Sequence, residues 1–150
     1  MEFYLSVDFL ELINLNMNKV KIFDNLEELF PFLKRQAESS LLAEICGLVG
    51  LTKNNKLIYK NMQNRSKNPE IYFSIDPYEY LLFTQENDCL AIFHSHLAGD
   101  EKPSEFDIKT SENCCYSFII YSVCTEKFFI YEPQYKDYDV NILQGLRAKI

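Results

Sequence analysis

Residues 89–96, CLAIFHSH, run apolar as far as Phe93 and then end in His94 and His96, the only two histidines of the chain. An apolar run of this length bounded by polar residues reads as a strand, and an extended backbone points side chains two apart to the same face. Both imidazoles therefore project from one side of a strand end. There the chain passes into the polar stretch LAGDEKPSEFD. Other apolar runs surround this one. YSFIIYSVC and KFFIYEP read as buried strands, and IYFSI as a further strand. ICGLVGLT and KLIYKNM flank Lys53-Asn54-Asn55, a hairpin whose asparagines can take the left-handed turn conformation.

Helical spacing appears in between. Leu26, Leu29, Phe30, Leu33 and Ala37 recur on one helical face, with Asp24 or Asn25 placed to cap the free amides. Pro31 is tolerable if this helix begins near Glu27 or Glu28, and otherwise implies a kink. Pro77 opens PYEYLLFTQEN, where proline suits a first turn; SEFDIKTSENCC reads as helical, and DVNILQGLRAKI as a last short helix weakened by Gly145. Strands and helices interleave without a strict βα repeat. The expected class is α/β (α+β), a mixed sheet flanked by helices in a single domain over residues 1–150.

Composition excludes several functions. With 15 basic against 22 acidic residues the net charge is −7, so the positive footprint of a nucleic-acid binder is missing. No apolar run reaches membrane-spanning length, and the opening MEFYLSVDFLELINL carries acids where a secretory signal is basic, so a cytoplasmic protein without a membrane partner is expected. Cys46, Cys89, Cys114, Cys115 and Cys124 show no C-x-x-C spacing and read as reduced, mostly buried thiols.

Two histidines spaced for one face are suited to zinc, which takes imidazole nitrogens and, in catalytic sites, three protein ligands plus an open position. Asp100, Glu101, Glu105 and Asp107 are the nearby acids. Asp107 lies one turn into a helix whose N-cap is expected to be Ser104, from where it can turn back toward the histidines. By itself Ser104-x-x-Asp107 also reads as a helix-capping arrangement, and two histidines on a strand as a polar edge.

His94-Ser95-His96, seven residues, Ser104, two residues and Asp107 match the H-S-H-x7-S-x2-D motif, and in this the chain resembles the JAMM (MPN+/Mov34) zinc metallopeptidases. Glu44-Ile45-Cys46-Gly47-Leu48-Val49-Gly50 is similar to the family's upstream E-x-C-G-L-x-x-G strand segment, and NMQNRSKNPEIYFSIDPYEYLLF to its Asn-rich loop, strand and helix entry. The resemblance runs from about residue 25 to 132; Leu97 stands where many relatives have proline. It implies a JAMM/MPN-like mixed sheet in a layered architecture like that of cytidine deaminases. It also implies one Zn2+ per chain held by His94, His96 and Asp107, with Glu44 and Ser104 as catalytic residues. In that scheme zinc brings the pKa of water from 15.7 toward about 7. Glu44 takes the water's proton and returns it to the departing amine. Ser104 donates a hydrogen bond to the oxygen that becomes negative.

The substrate so implied is the bond after the C-terminus of a ubiquitin-like protein. Stand-alone minimal members of this kind resemble those of bacterial conjugation operons, including antiphage systems, where conjugation enzymes are the further partners. Two alternatives stand beside it: a phage-tail-associated peptidase of the same family, and an inactive MPN-type scaffold, which would generally lack the ligands. A zinc deaminase would need H-x-E and P-C-x-x-C, and neither occurs.

Overall fold

The structure, a computed structural model, describes residues 20–135; the expected C-terminal helix lies outside them. Along the chain come β1 (Val20–Phe23), α1 (Leu26–Glu38), β2 (Cys46–Leu51), β3 (Leu57–Met62), α2 (Pro77–Glu86), β4 (Asp88–His96), α3 (Glu105–Cys114), β5 (Ser117–Ser122) and β6 (Lys127–Tyr131). The strands form one six-stranded sheet in the order β1-β3-β2-β4-β5-β6. Every neighbouring pair is antiparallel except β4 and β5, which are parallel. Parallel neighbours need a crossover. The chain makes it through the loop after His96 and then α3, so the polar stretch is suspended between the sheet's central strand and the crossover helix. This is the mixed, helix-flanked α/β sheet expected from the sequence, and it is consistent with JAB/MPN-like architecture.

Two apolar layers hold the sheet. On one face Leu29, Phe30, Leu33 and Ala37 of α1 pack with Val49, Tyr59, Phe93, Ile119 and Tyr121. On the other, Phe83 of α2 and Phe73 cluster with Leu48, Ile58, Ile92, Phe118 and Ile120. Alternate residues of β5 thus serve both layers, which is why its sequence is apolar throughout. Each fully buried Leu, Ile or Phe stabilises by about 1.5–3 kcal/mol relative to exposure.

The glycines of β2 answer to close neighbours. A Cβ at Gly47 would run into the Tyr59 ring, and one at Gly50 into the Asp88 carbonyl oxygen, at the point where the β2–β4 register shifts. At the hairpin Asn55 takes φ +60°, the left-handed turn expected of an asparagine there.

Three local points settle, revise or add to the sequence reading. Asn25 is the cap of α1, its Oδ1 accepting from the Glu28 amide at 3.0 Å, and the helix begins at Leu26, so Pro31 sits in the second turn and denies the Glu27 carbonyl its helical partner. The segment Ile71–Ile75 is not a strand. Its backbone bonds locally instead: the Ile71 and Tyr72 amides donate to the Asn68 carbonyl, and the Ser74 amide to the Asn64 side chain. Finally β1, which the sequence reading did not single out, extends the sheet by pairing with β3.

Candidate metal centre

His94 and His96 end β4 with their rings on one face, as an extended strand requires. Nine positions after His96, α3 begins. Its N-cap is Ser104, whose Oγ accepts from the Asp107 amide at 3.1 Å while the Ser104 amide donates to Asp107 Oδ2 at 3.0 Å. The capping reading and the ligand reading are therefore both true of these residues. The cap fixes the Asp107 carboxylate against the histidines: Oδ1 lies 3.2 Å from His94 Nε2, Oδ2 lies 3.0 Å from His96 Nε2, and the two Nε2 atoms are 3.2 Å apart.

This geometry calls for a cation. His96 Nδ1 is 2.8 Å from the Asp100 carbonyl oxygen, which can only accept, so the neutral ring carries its proton on Nδ1. Its Nε2 is then a bare lone pair facing a carboxylate oxygen and another ring nitrogen. Either a second proton on His96 or a metal ion relieves that conflict. Burial opposes the proton, yet the Asp107 and Asp100 oxygens outweigh it and raise the His96 pKa above the usual 6.5. His94, wholly buried, has its pKa lowered by desolvation despite the Asp107 carboxylate. Asp107 is buried too, but its bonds to His94 and His96 overcome that and hold the carboxyl far below the usual range.

Two imidazole nitrogens and one carboxylate oxygen, mutually within 4.8 Å, could hold a metal ion, and they are a donor set suited to zinc. Supporting contacts fit as well. The Asp100 carbonyl orients His96 and the Ser104 amide orients Asp107, the outer-sphere arrangement that such ligands normally have. His94 is held differently: its ring stacks on Phe73 at 4.5 Å between centroids, and its buried Nδ1 has no hydrogen-bond partner among the described residues.

Glu44 reaches the site from the segment just before β2, whose first residue, Cys46, is paired with His94. It lines, with Glu70, Ile71, His96, Leu97, Gly99, Asp100, Pro103 and Ser104, an open cavity of about 340 Å³. The residue itself is 5% exposed. Desolvation pushes its pKa up to about 8, with Asp107 raising it further and His96 pulling it down. Glu44 stands two residues before β2, so it does not share a strand face with Cys46, whose thiol contacts the Met62 carbonyl oxygen as core packing. The structure brings together all five residues singled out from the sequence. Asp100 remains an exposed loop residue that serves through its carbonyl, and Glu101 is a half-buried loop carboxylate that accepts from Thr125.

Other contributors were not singled out. Ser95, fully buried between the two histidines, accepts from the Ile45 amide at 2.8 Å and donates its own amide to the Ile45 carbonyl at 2.9 Å. Ser122 Oγ donates to the Gly99 carbonyl at 2.8 Å, and the Val123 amide to the His96 carbonyl at 3.0 Å, so the β5–β6 turn braces the loop after His96. The position of Ser95 inside H-S-H is the signal that could have marked it.

Among solved structures, the chain is similar to the solution structure of protein DSY2949 from Desulfitobacterium hafniense at a TM-score of 0.51 and 22% identity, covering 74% of this chain and 90% of that one. It is also similar to the solution structure of a protein from Salinibacter ruber at a TM-score of 0.45 and 15% identity, covering 75% and 90%. The first likeness is one of fold alone. No curated protein matches the chain. A family model described as prokaryotic homologues of the JAB domain matches residues 27–133, a span that takes in Glu44, the histidines, the cap of α3 and the whole sheet except β1. With that match over most of its length, the chain belongs to the prokaryotic JAB-domain family.

Proposed function

We propose that the protein is a zinc-dependent (iso)peptidase that hydrolyses the bond after the C-terminus of a ubiquitin-like protein, for precursor processing, deconjugation or both, within a bacterial antiphage conjugation system. The observation that carries this reading is the convergence of His94 Nε2, His96 Nε2 and both Asp107 oxygens, a donor set suited to a metal ion. A scaffold has no need of such a cluster, nor of a buried carboxyl beside it.

His94, His96 and Asp107 would hold the ion, which when bound supplies Lewis acidity toward water and the scissile carbonyl. The rest falls to the chain itself. Glu44, its carboxyl buried and its pKa raised to about 8, is a competent proton carrier, able to accept a proton from water and deliver it to the leaving amine. With the site filled, the Glu44 carboxylate would be the base. Ser104 uses its oxygen lone pair for the Asp107 amide and keeps its hydroxyl proton to donate to charge developing on the carbonyl oxygen. The cavity is open, and Ile71, Leu97, Ala98 and Gly99 in its lining, beside the charged Glu70, Asp100 and Lys102, suit an extended tail of small residues.

The test is incubation of the purified protein with fusions of candidate ubiquitin-like proteins, with and without a chelator, beside Glu44→Gln. Cleavage after the modifier's C-terminal residue, sensitive to chelator and lost in the variant, is expected. Equal cleavage by parent and variant removes Glu44 from its role; cleavage indifferent to chelator removes the metal.

A further inference from the structure

Glu44 lies outside any strand, so no sheet ladder fixes its backbone. What fixes it is the loop between β3 and α2. The Glu44 amide donates to the Pro69 carbonyl at 2.7 Å, and its carbonyl accepts from Asn64 Nδ2 at 3.0 Å. Asn64 also closes that loop upon itself. Nδ2 reaches the Tyr72 carbonyl at 2.9 Å and, more weakly, the Pro69 carbonyl at 3.4 Å; Oδ1 accepts from the Ser66 amide at 3.0 Å and the Ser74 amide at 3.1 Å. One side chain thus spans the backbone of residues 64–74 and grips the residue that carries the buried carboxyl.

The same loop serves the site in two further ways. Glu70 and Ile71 wall the cavity, and Phe73 stacks on His94. Loop, cavity wall and acid therefore share the Asn64 side chain as a common fastening, beside the backbone bonds of the loop itself.

We infer that Asn64 is a positioning residue for Glu44: it holds the Glu44 backbone and the cavity wall in register with the cluster of His94, His96 and Asp107, without touching substrate or metal itself. The inference rests on the peptidase reading for its kinetic consequence but not for its structural one. The fastening requires an amide. Asn64→Asp retains the acceptor for Ser66 and Ser74 but sets carboxylate lone pairs against the carbonyls of Glu44, Pro69 and Tyr72, so it isolates the donor half of the clasp.

Two measurements on the zinc-loaded full chain test this. Hydrogen exchange followed by mass spectrometry is expected to show the segments holding Glu44 and residues 64–74 exchanging faster in Asn64→Asp while β4 and β5 keep their protection. Kinetics on a cleavable fusion are expected to show kcat falling roughly 10–100-fold, the range found when supporting contacts of a metal site are removed. KM and zinc affinity, read by competition with a chelating dye, stay within about threefold of the parent. Exchange at 44 and 64–74 unchanged from the parent overturns the inference, as does a kcat unchanged, or a fall in zinc affinity that parallels the fall in kcat. If the parent cleaves no fusion, the peptidase reading fails while the exchange experiment still decides the role of Asn64. Should Asp at this position prevent folding, Asn64→Ser, smaller and neutral, carries the same two measurements.

Discussion

Replacing Glu44 by Gln is expected to stabilise the metal-free protein, and to do so more strongly the higher the pH. The carboxyl has a pKa of 4.5 when exposed and about 8 in the fold, chiefly through desolvation. Because the folded value is the higher one, the neutral form favours folding. That contribution is complete below pH 4.5 and is lost as pH rises to about 8. Each pH unit across that window costs at most about 1.4 kcal/mol, giving an upper bound on the order of 3 kcal/mol at pH 7. The cavity is open to water on one side, so a realised effect of about 1–2 kcal/mol is expected after screening. Gln is nearly isosteric and cannot ionise. The assay is urea denaturation of both proteins, stripped of metal, from pH 5 to pH 8.5. The difference should be near zero at the acid end and grow steadily with pH. Saturating zinc should shrink it, since a divalent cation beside Glu44 favours the carboxylate. A difference that is constant across pH, or a variant less stable than the parent at pH 8, would refute the argument that burial raises the Glu44 pKa.

Further outcomes follow from the same geometry. Asp107→Asn should weaken zinc binding at least a hundredfold by titration, because it removes the one anionic ligand. Ser104→Ala should lower kcat roughly a hundred- to a thousandfold if its hydroxyl meets developing negative charge, and cost about 1 kcal/mol in chemical denaturation because it is also the cap of α3. Gly47→Ala should cost about 1–3 kcal/mol, since the added methyl collides with the buried Tyr59 ring; an unchanged denaturation midpoint would show that the ring can move aside.

Much of this was legible in the sequence because the signals were local. Asn25 and Ser104 cap their helices and Pro77 opens another from the positions their side chains favour, and the runs that became β4 and β5 are apolar on both faces because helices or loops cover both. The site residues were legible because a strand end and a helix start place them at fixed offsets. What escaped depends on partners outside the segment's own residues, some near and some far along the chain. Ile71–Ile75 has strand composition, yet the Asn64 and Asn68 groups bind its backbone before a strand can. VKIF has only four residues, too few for a periodic signal, and becomes β1 because β3 offers an edge. Glu44 owes its raised pKa to a cavity assembled from residues between 44 and 104, and Ser95 and Asn64 matter through backbone groups that no side-chain pattern records.

The central claim is that His94, His96 and Asp107 form a site for a single ion. Metal analysis of the parent protein and of His96→Ala, each loaded with zinc and freed of excess by dialysis, tests it most directly. One zinc per chain in the parent and almost none in the variant is the predicted result; an equal load in both, or none in the parent, contradicts it.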